Sequence, residues 1–524
     1  MFSLIRKSLT PRPGARTLKV LAADPVDPVC ARVFADRGHK LVEKKMNAAE
    51  LLAAIPLYDG LVVRSGVKVS AAIIEAGKKL RVIGRAGAGT DNIDSAAATK
   101  AGVVVMNTPG GNTSAASELT MSLLMALARS LPAACASLKA GAWERAAFSK
   151  GTELRGKTIG VIGLGQIGRS VALHCLALGM QPIGYDPLLA PEDAAPLTAA
   201  GVKHTASLAD IYRQADFITV HTPLNSHTEN LLCAATLAQC KKGVFIINVA
   251  RGGIVHEGDL LAALQSGQVR GAALDVYAQE PPGPASRALL EHPAVLCTPH
   301  LGASTEEAQR KVAEEIAAQM CDAFEGSRYV GVVNAPHLSL GAKPEMAPYV
   351  ALGQALGALQ GQVLGGEGLP KGTRVRVEVA GGGLAAKGAT ELLQAAVLKG
   401  LLPGLPAVAE GGGEVNLVNA PGLAAGAGLA VSAALLPAAG GGGAGGQGAD
   451  VDAAAAYPNL VVVTVTPPDG KGGASVVKGS MIDGVPKVVQ MDFWPHFPAF
   501  EPSGHICEWR TRARASPCWG GHAR

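Results

Sequence analysis

Arg251, Glu280 and His300 each stand in a loop behind a short apolar run, where a side chain of that type can reach a small molecule. Arg251 falls between Val249-Ala250 and two glycines, and its planar guanidinium can grip a carboxylate in bidentate fashion and polarise a neighbouring carbonyl. His300 follows Thr298-Pro299, and an imidazole there can give or take a proton near neutral pH. Glu280 precedes Pro281-Pro282, which stiffen its loop; a carboxylate touching the imidazole would favour the imidazolium and fix the ring. Together the three could give a proton to a carbonyl oxygen beside a carboxylate while a hydride arrives at the carbon. Each also has a plainer reading, with Glu and Arg facing solvent and His satisfied structurally, and spacing alone does not choose.

Such a proton transfer needs a two-electron partner, and residues 157–169 offer a place for one. The apolar run Thr158 to Ile162 reads as a buried strand, and Gly163, Gly165 and Gly168 follow with G-x-G-x-x-G spacing. The first glycine permits a tight turn, the second lets backbone amides approach a pyrophosphate, and the third lets the following helix pack on the strand. That helix presents its N-terminal amides and partial positive charge to the phosphates. Asp186 ends the next apolar segment about 20 residues on, the place for a carboxylate that accepts ribose hydroxyls. It would repel a 2′-phosphate, so the expected cofactor is NAD rather than NADP.

The elements that must position these groups read as alternating strands and helices. Short apolar strands at 19–22, 60–64, 80–84 and 102–106 predict a parallel sheet covered by helices. Polar loops close them: Arg64-Ser65-Gly66, then 85–89, then 107–112. Residues 114–131 read as one helix, apolar nearly all round and therefore buried. Strands at 216–221, 243–249, 271–275 and 294–297 continue the dinucleotide unit, each followed at once by polar residues, and 306–324 reads as a helix leading back. From Pro336 the pattern changes to strands at 373–379 and 460–466, a helix at 390–399 and a hairpin over 475–491 around Asp483-Gly484. The fold class expected is α/β, with two Rossmann-like, doubly wound parallel-sheet domains and a cleft between them, plus a C-terminal α+β domain. The expected domains are 17–110 with 304–335 for the substrate, 111–303 for NAD, and 336–500 for the third.

Composition sets limits. Hydrophobic residues make up 48% but aromatics only 4%, with Gly 66, so small side chains fill much of the interior. The net charge of +5 is slight for the length and not gathered in one run, which argues against nucleic acid as a partner. The nine cysteines are scattered without a C-x-x-C pair and read as reduced thiols of an intracellular protein. Residues 1–16 carry four basic residues, with no acid before Asp24, which suits either a transit peptide to a plastid or mitochondrion or a basic tail on a cytoplasmic protein. The stretch 415–438 is too weakly apolar to span a membrane. Residues 440–448 read as a flexible glycine loop, and the arginine-bearing tail 501–524 as poorly ordered.

The segments 248–255, 273–282 and 298–305 closely resemble the D-isomer-specific 2-hydroxyacid dehydrogenases, over about residues 18–335. Residues 331–335, 415–420 and the hairpin near Asp483 extend the likeness to the intervening domain of long members that act on a phosphorylated glycerate. The resemblance implies that His300 is the proton donor, Glu280 its partner and Arg251 the substrate anchor. It implies that Arg64, Ser65, Gly66 and Asn112 help to hold the substrate, with Arg85 a further candidate for its phosphate. It implies that Gly163, Gly165, Gln166, Ile167, Gly168, Asp186, Thr222, Val249, Ala250, Arg251, Asp275, His300, Leu301, Gly302 and Ala303 line NAD, and that no metal takes part. The implied activity is NAD-dependent oxidation of 3-phospho-D-glycerate to 3-phosphohydroxypyruvate, opening the phosphorylated route to L-serine. Rival readings are a glyoxylate or hydroxypyruvate reductase of the same fold and a non-catalytic NAD-sensing scaffold. The expected partners are the small-molecule substrate and copies of the chain in a dimer or tetramer, with no membrane. Departures from the common pattern are Gln166 for Arg, Ala88 for Thr, His256 for Asp, and the tail where long relatives carry a regulatory ACT domain.

Overall fold

The computed structural model describes residues 16–364, 368–405, 408, 414–436, 457, 459–469, 473–491 and 498–502. The basic segment 1–16, apart from Arg16, the glycine run 440–448 and the tail beyond 502 therefore lie outside the described residues, as do Cys507 and Cys518. The seven described cysteines are free thiols. The chain divides into two compact units, one of Met1–Ala86, Thr90–Asn107 and Glu314–Arg524, the other of Gly87–Gly89 and Thr108–Ala313.

The first unit opens with five strands: β1 (Lys19–Ala22), β2 (Lys40–Glu43), β3 (Gly60–Val63), β4 (Val82–Arg85) and β5 (Val104–Asn107). They pair in parallel in the order β2-β1-β3-β4-β5. Chain direction across the sheet reverses between β1 and β3, so their carboxyl ends flank its switch point. The 331–335 segment pairs onto the edge of β5, and Asn334 secures it: its Oδ1 accepts from the Val105 amide at 2.9 Å while its Nδ2 donates to the Val103 carbonyl at 2.9 Å.

The same unit carries a mixed sheet of β13 (Arg374–Ala380), β14 (Ala430–Leu435), β15 (Leu460–Thr466), β16 (Ser475–Ile482) and β17 (Val485–Met491), ordered β14-β13-β15-β16-β17. Two apolar helices, Ala347–Leu364 and Ala389–Leu401, pack so closely that a Cβ on Gly357 would overlap the Val397 carbonyl and one on Gly400 the Gln354 carbonyl. Backbone contact of this kind explains how glycine-rich sequence still builds a dense core. Asn416 joins this part to the first sheet by donating to the Gly102 carbonyl at 2.9 Å.

The second unit is a seven-stranded parallel sheet: β6 (Thr158–Ile162), β7 (Gln181–Tyr185), β8 (Lys203–His204), β9 (Phe217–Val220), β10 (Val244–Asn248), β11 (Val269–Leu274) and β12 (Val295–Cys297). Its order is β12-β11-β10-β9-β6-β7-β8, so the switch point lies between β6 and β9. Ile159, Val161, Phe217, Ile247 and Ala273 bury one face of the sheet and Ile162, Ile218, Val220, Ile246 and Leu274 the other, as expected for strands covered by helices on both sides. The helix expected over 114–131 is shorter. It runs Thr113–Ala128, Ser130 takes a left-handed φ of 50°, and a second helix, Leu131–Lys139, begins with Pro132 in its first turn. Apolar periodicity runs through this 64° bend, so pattern alone does not reveal it. Among the described residues no single helix is both long and apolar enough to cross a membrane; this bent pair meets the two conditions together, by length and composition only.

Candidate active site

The glycine turn folds as its spacing demands. Gly163 has φ +95°, and a Cβ there would lie 2.6 Å from the His221 carbonyl oxygen; a Cβ on Gly168 would overlap the Gly163 carbonyl. A Cβ on Gly165, by contrast, would meet nothing within 4 Å, which is the approach a pyrophosphate needs. Gly165 caps the helix Gln166–Ala177 without a side-chain hydrogen bond, so its first amides are available to an anion. Thr222, across the switch point, holds a buried Oγ1 with no hydrogen-bond partner, and its Cγ2 would lie 2.9 Å from a Cβ on Gly163. Asp186 follows β7, and its two oxygens accept from the amides of Leu164 and Leu188, both at 2.9 Å. Each oxygen retains a lone pair for a ribose hydroxyl. The donors, the open glycine and the orphaned hydroxyl fit a dinucleotide.

Other residues expected at the cofactor have more specific places. Gln166 turns toward the start of the Thr113–Ala128 helix, where its Oε1 accepts from Thr113 Oγ1 at 3.1 Å. Asn112 precedes that helix, and its buried Oδ1 has no partner. Ile167 and Ala250 pack, half-buried, against the two cores of the sheet. Val249 is buried, with its Cγ1 3.5 Å from where a Gly302 side chain would begin. Leu301 is exposed and Ala303 partly so.

His300 and Glu280 meet: Nδ1 of the ring lies 2.6 Å from Glu280 Oε2. The Tyr277 amide donates to the other oxygen, Oε1, at 3.1 Å. Burial pushes the Glu280 carboxyl up, but the hydrogen bonds from His300 and Tyr277 and the charges of His300 and Arg251 outweigh it and hold it below its ordinary value. An ionised carboxylate only accepts, so Nδ1 carries the proton in this bond and Nε2 is the atom left for exchange. The Glu280–Pro281 peptide is cis.

Arg251 sits on the turn after β10. Its Nη1 donates to the Ala250 carbonyl at 2.6 Å. The turn is shaped by Asn248, the last residue of β10 and 1% exposed, which donates to the Arg251 carbonyl at 2.8 Å and accepts from the Ala250 amide at 3.0 Å. A Cβ on Gly252 would overlap the Tyr277 carbonyl, so the Arg251 and Glu280 loops pass backbone to backbone. Tyr277 closes the arrangement by donating to the Leu274 and Thr298 carbonyls at 3.2 and 2.9 Å. Sequence reasoning does not single out Asn248 or Tyr277; a polar residue ending the apolar strand Val244–Asn248 is the available signal for the first.

Asp275, expected at the cofactor, is fully buried and turned to the His300 turn. Its Oδ1 accepts from Thr298 Oγ1 at 2.6 Å and from the Leu301 amide at 2.7 Å, and its Oδ2 from the Gly302 amide at 2.9 Å. Burial pushes its pKa above the ordinary value against the pull of these donors.

In the first unit, Arg64, Ser65 and Gly66 form the loop after β3, and Arg64 Nη1 donates to the Pro25 carbonyl at 3.3 Å. Arg85 ends β4, with Nη1 donating to the Ala86 carbonyl at 2.7 Å and Nε to Asn92 Oδ1 at 3.3 Å.

Comparison with known proteins supplies the class. Residues 121–302 match the family described as D-isomer specific 2-hydroxyacid dehydrogenase, NAD binding domain, and residues 345–439 match the D-3-phosphoglycerate dehydrogenase intervening domain. The second unit is thus the NAD-binding part of a D-2-hydroxyacid dehydrogenase. The chain is 49% identical over 428 residues to human D-3-phosphoglycerate dehydrogenase, covering 82% of this chain and 77% of that one. It is 42% identical over 404 residues to the enzyme of that name from Methanocaldococcus jannaschii, covering 77% and 74%. It belongs to the D-3-phosphoglycerate dehydrogenase family. Among solved structures, NAD+-bound 3-phosphoglycerate dehydrogenase of Entamoeba histolytica matches 61% of this chain and 99% of its own, at TM-score 0.52 and 27% identity. A glyoxylate reductase of Paecilomyes thermophila matches 61% and 99%, at TM-score 0.56 and 28% identity.

Proposed function

We propose that this chain oxidises 3-phospho-D-glycerate to 3-phosphohydroxypyruvate with NAD+, supplying the first intermediate of phosphorylated L-serine synthesis. The observation that carries the reading is His300 Nδ1 held 2.6 Å from an ionised Glu280 beside the Arg251 turn, in a chain that also has the intervening domain. Bound NAD+ supplies the hydride acceptor. His300 Nε2 accepts the proton of the substrate 2-hydroxyl as the C2–H bond is broken, and Glu280 stabilises the resulting imidazolium. In the reverse direction the same imidazolium returns the proton to the carbonyl oxygen. Arg251 grips the substrate carboxylate and, in reduction, polarises the carbonyl. Asn112 contributes its unpaired Oδ1, which can accept from a substrate hydroxyl. Arg64, Ser65, Gly66 and Arg85 hold the phosphorylated end in this reading.

The domain division at 110, 303 and 335 belongs to the same proposal, as does assembly into a dimer or tetramer. The latter is supported by Leu131, Leu138 and Trp143, all exposed just beyond the buried helix. The reductase alternative shares the fold but offers no use for the intervening domain.

NADH absorbance with the purified protein decides between them. Preference for 3-phosphohydroxypyruvate over hydroxypyruvate and glyoxylate, lost in His300→Ala, is the expected result. Equal or better turnover of the unphosphorylated acids would move the chain to the reductase reading, and NADH binding without turnover to the scaffold.

A further inference from the structure

The Arg64 loop is held at its ends by two side chains that belong to neither the acid–base pair nor the cofactor turn. Asp24, just beyond β1 and 8% exposed, lies under the loop, and its Oδ2 accepts from the amides of Arg64 at 2.6 Å and Val67 at 3.3 Å. Asn92 holds the carbonyls of the same two residues, with Nδ2 donating to Arg64 at 2.7 Å and to Val67 at 2.6 Å. The amide and carbonyl of both terminal residues of the tetrapeptide are thereby engaged. Gly66 permits the approach, since a Cβ there would lie 2.7 Å from Asp24 Oδ1.

Asn92 has a third bond. Its Oδ1 accepts from Arg85 Nε at 3.3 Å, so one carboxamide orients the loop of Arg64 and the guanidinium of Arg85 together. Asn92 is itself fixed: its carbonyl accepts from the Val69 amide at 2.7 Å, and Ile93 bridges to Val69. Asp24 and Arg64 follow β1 and β3, whose carboxyl ends flank the switch point of the first sheet, where open parallel sheets receive ligands.

We propose that Asp24 and Asn92 are positioning residues that set the two arginines Arg64 and Arg85 for a doubly anionic substrate, Asp24 by fixing the loop and Asn92 by coupling the loop to Arg85. The proposal rests on the reading that these arginines bind the phosphorylated end. Neither residue touches substrate; each acts through backbone or through an arginine. Asp24 is an acceptor for two amides, so Asn there keeps one suitable oxygen, whereas Ala keeps none. Asn92 needs both its donors and its acceptor, so neither Ala nor Asp replaces it.

The test is steady-state reduction of 3-phosphohydroxypyruvate by NADH with the full chain, comparing Arg64→Ala, Arg85→Ala, Asn92→Ala, Asn92→Asp, Asp24→Ala, Asp24→Asn and the double variant Arg64→Ala/Asn92→Ala. Asn92→Ala, Asn92→Asp and Asp24→Ala should raise KM for the phosphorylated acid at least ~10-fold, while kcat stays within ~3-fold and KM for NADH is unchanged, because a bidentate anion contact needs its fork in place. Asp24→Asn should recover most of the loss. Arg64→Ala/Asn92→Ala should lose less than the two single losses multiplied, since the part of Asn92 that acts through the Arg64 loop is already gone and only its hold on Arg85 remains. An unchanged KM in Asn92→Ala and Asp24→Ala, with Arg64→Ala impaired, overturns the positioning role. An unimpaired Arg64→Ala and Arg85→Ala would instead overturn the substrate reading beneath it. If Asn92→Ala does not fold, judged by melting and NADH binding, Asp24→Ala against Asp24→Asn carries the test: equal KM values in the two reject the proposal.

Discussion

Asp275 and His300 are tied through the backbone: the His300 amide donates to the Asp275 carbonyl at 2.9 Å, and the next two amides, of Leu301 and Gly302, donate to the Asp275 carboxylate. His300 has φ +55°, a left-handed conformation that costs a non-glycine residue on the order of 1 kcal/mol. The buried carboxylate, held also by Thr298, keeps the imidazole on that turn.

Asp275→Ala therefore removes the acceptor of two amides at a cost of about 1–3 kcal/mol for each one left buried. Kcat should fall by about 100-fold as the ring leaves its productive position, with a lower melting temperature. A parent-like kcat would show that the turn holds His300 without Asp275.

Glu280 gives a pH prediction with a definite sign. Its pKa lies below the ordinary carboxylate value, so its hold on His300 is present above that range and is lost only as pH falls through the lowered value. In Glu280→Gln the imidazolium loses its anionic partner. Reduction of the keto acid should then fall about tenfold at pH values where the parent Glu280 is ionised, and the gap should narrow as pH falls through the lowered Glu280 value and the parent carboxylate takes up a proton. The pH dependence of kcat/KM for reduction measures it; superimposable profiles would remove Glu280 from the proton path.

Asn248→Ala tests the support beneath Arg251. The Arg251 carbonyl and Ala250 amide lose their partners, so stability in urea should drop by about 1–3 kcal/mol, and KM for the keto acid should rise by about tenfold as the guanidinium loses its fixed base. A stability loss with unchanged KM would confine Asn248 to a structural part.

The groups legible in the sequence are those standing where an apolar run stops. Arg251, Glu280 and His300 each do, and so do the glycines after β6; the strands β1, β6 and β15 have the expected bounds. The supports are hidden for the opposite reason. Asn248 closes an apolar strand, Asp24 and Asn92 lie 40 and 28 residues in sequence from the Arg64 they hold, and no local pattern links residues so far apart. The edge strand β2 escapes the pattern because Lys40 and Glu43, both exposed, mask its short apolar centre. In β14, three alanines weaken the signal.

Asp186 is the group to change for a test of cofactor choice. Its carboxylate stands at the end of β7 with both oxygens fixed by amides, so it cannot swing away from an added phosphate. Asp186→Ser should raise KM for NAD and shift the NADP-to-NAD ratio of kcat/KM by about 10- to 100-fold toward NADP, the range expected for removing a like charge. An unchanged ratio would mean that exclusion of the 2′-phosphate lies elsewhere.

His221 supplies a prediction about stability. Its ring follows β9, with Nε2 2.9 Å from Thr219 Oγ1, and burial pushes its pKa down from 6.5 to about 4. In the unfolded chain the imidazole takes a proton as pH falls below 6.5, whereas in the folded protein it stays neutral until about 4. The unfolded state therefore binds more protons across that window, and stability falls with decreasing pH by up to about 3 kcal/mol from this residue alone. In His221→Asn, which keeps a partner for Thr219 and does not titrate, urea unfolding should lose less stability between pH ~6.5 and ~4.5 than in the parent. Equal slopes in the two proteins would show that His221 titrates alike in both states and that its burial relaxes before it matters.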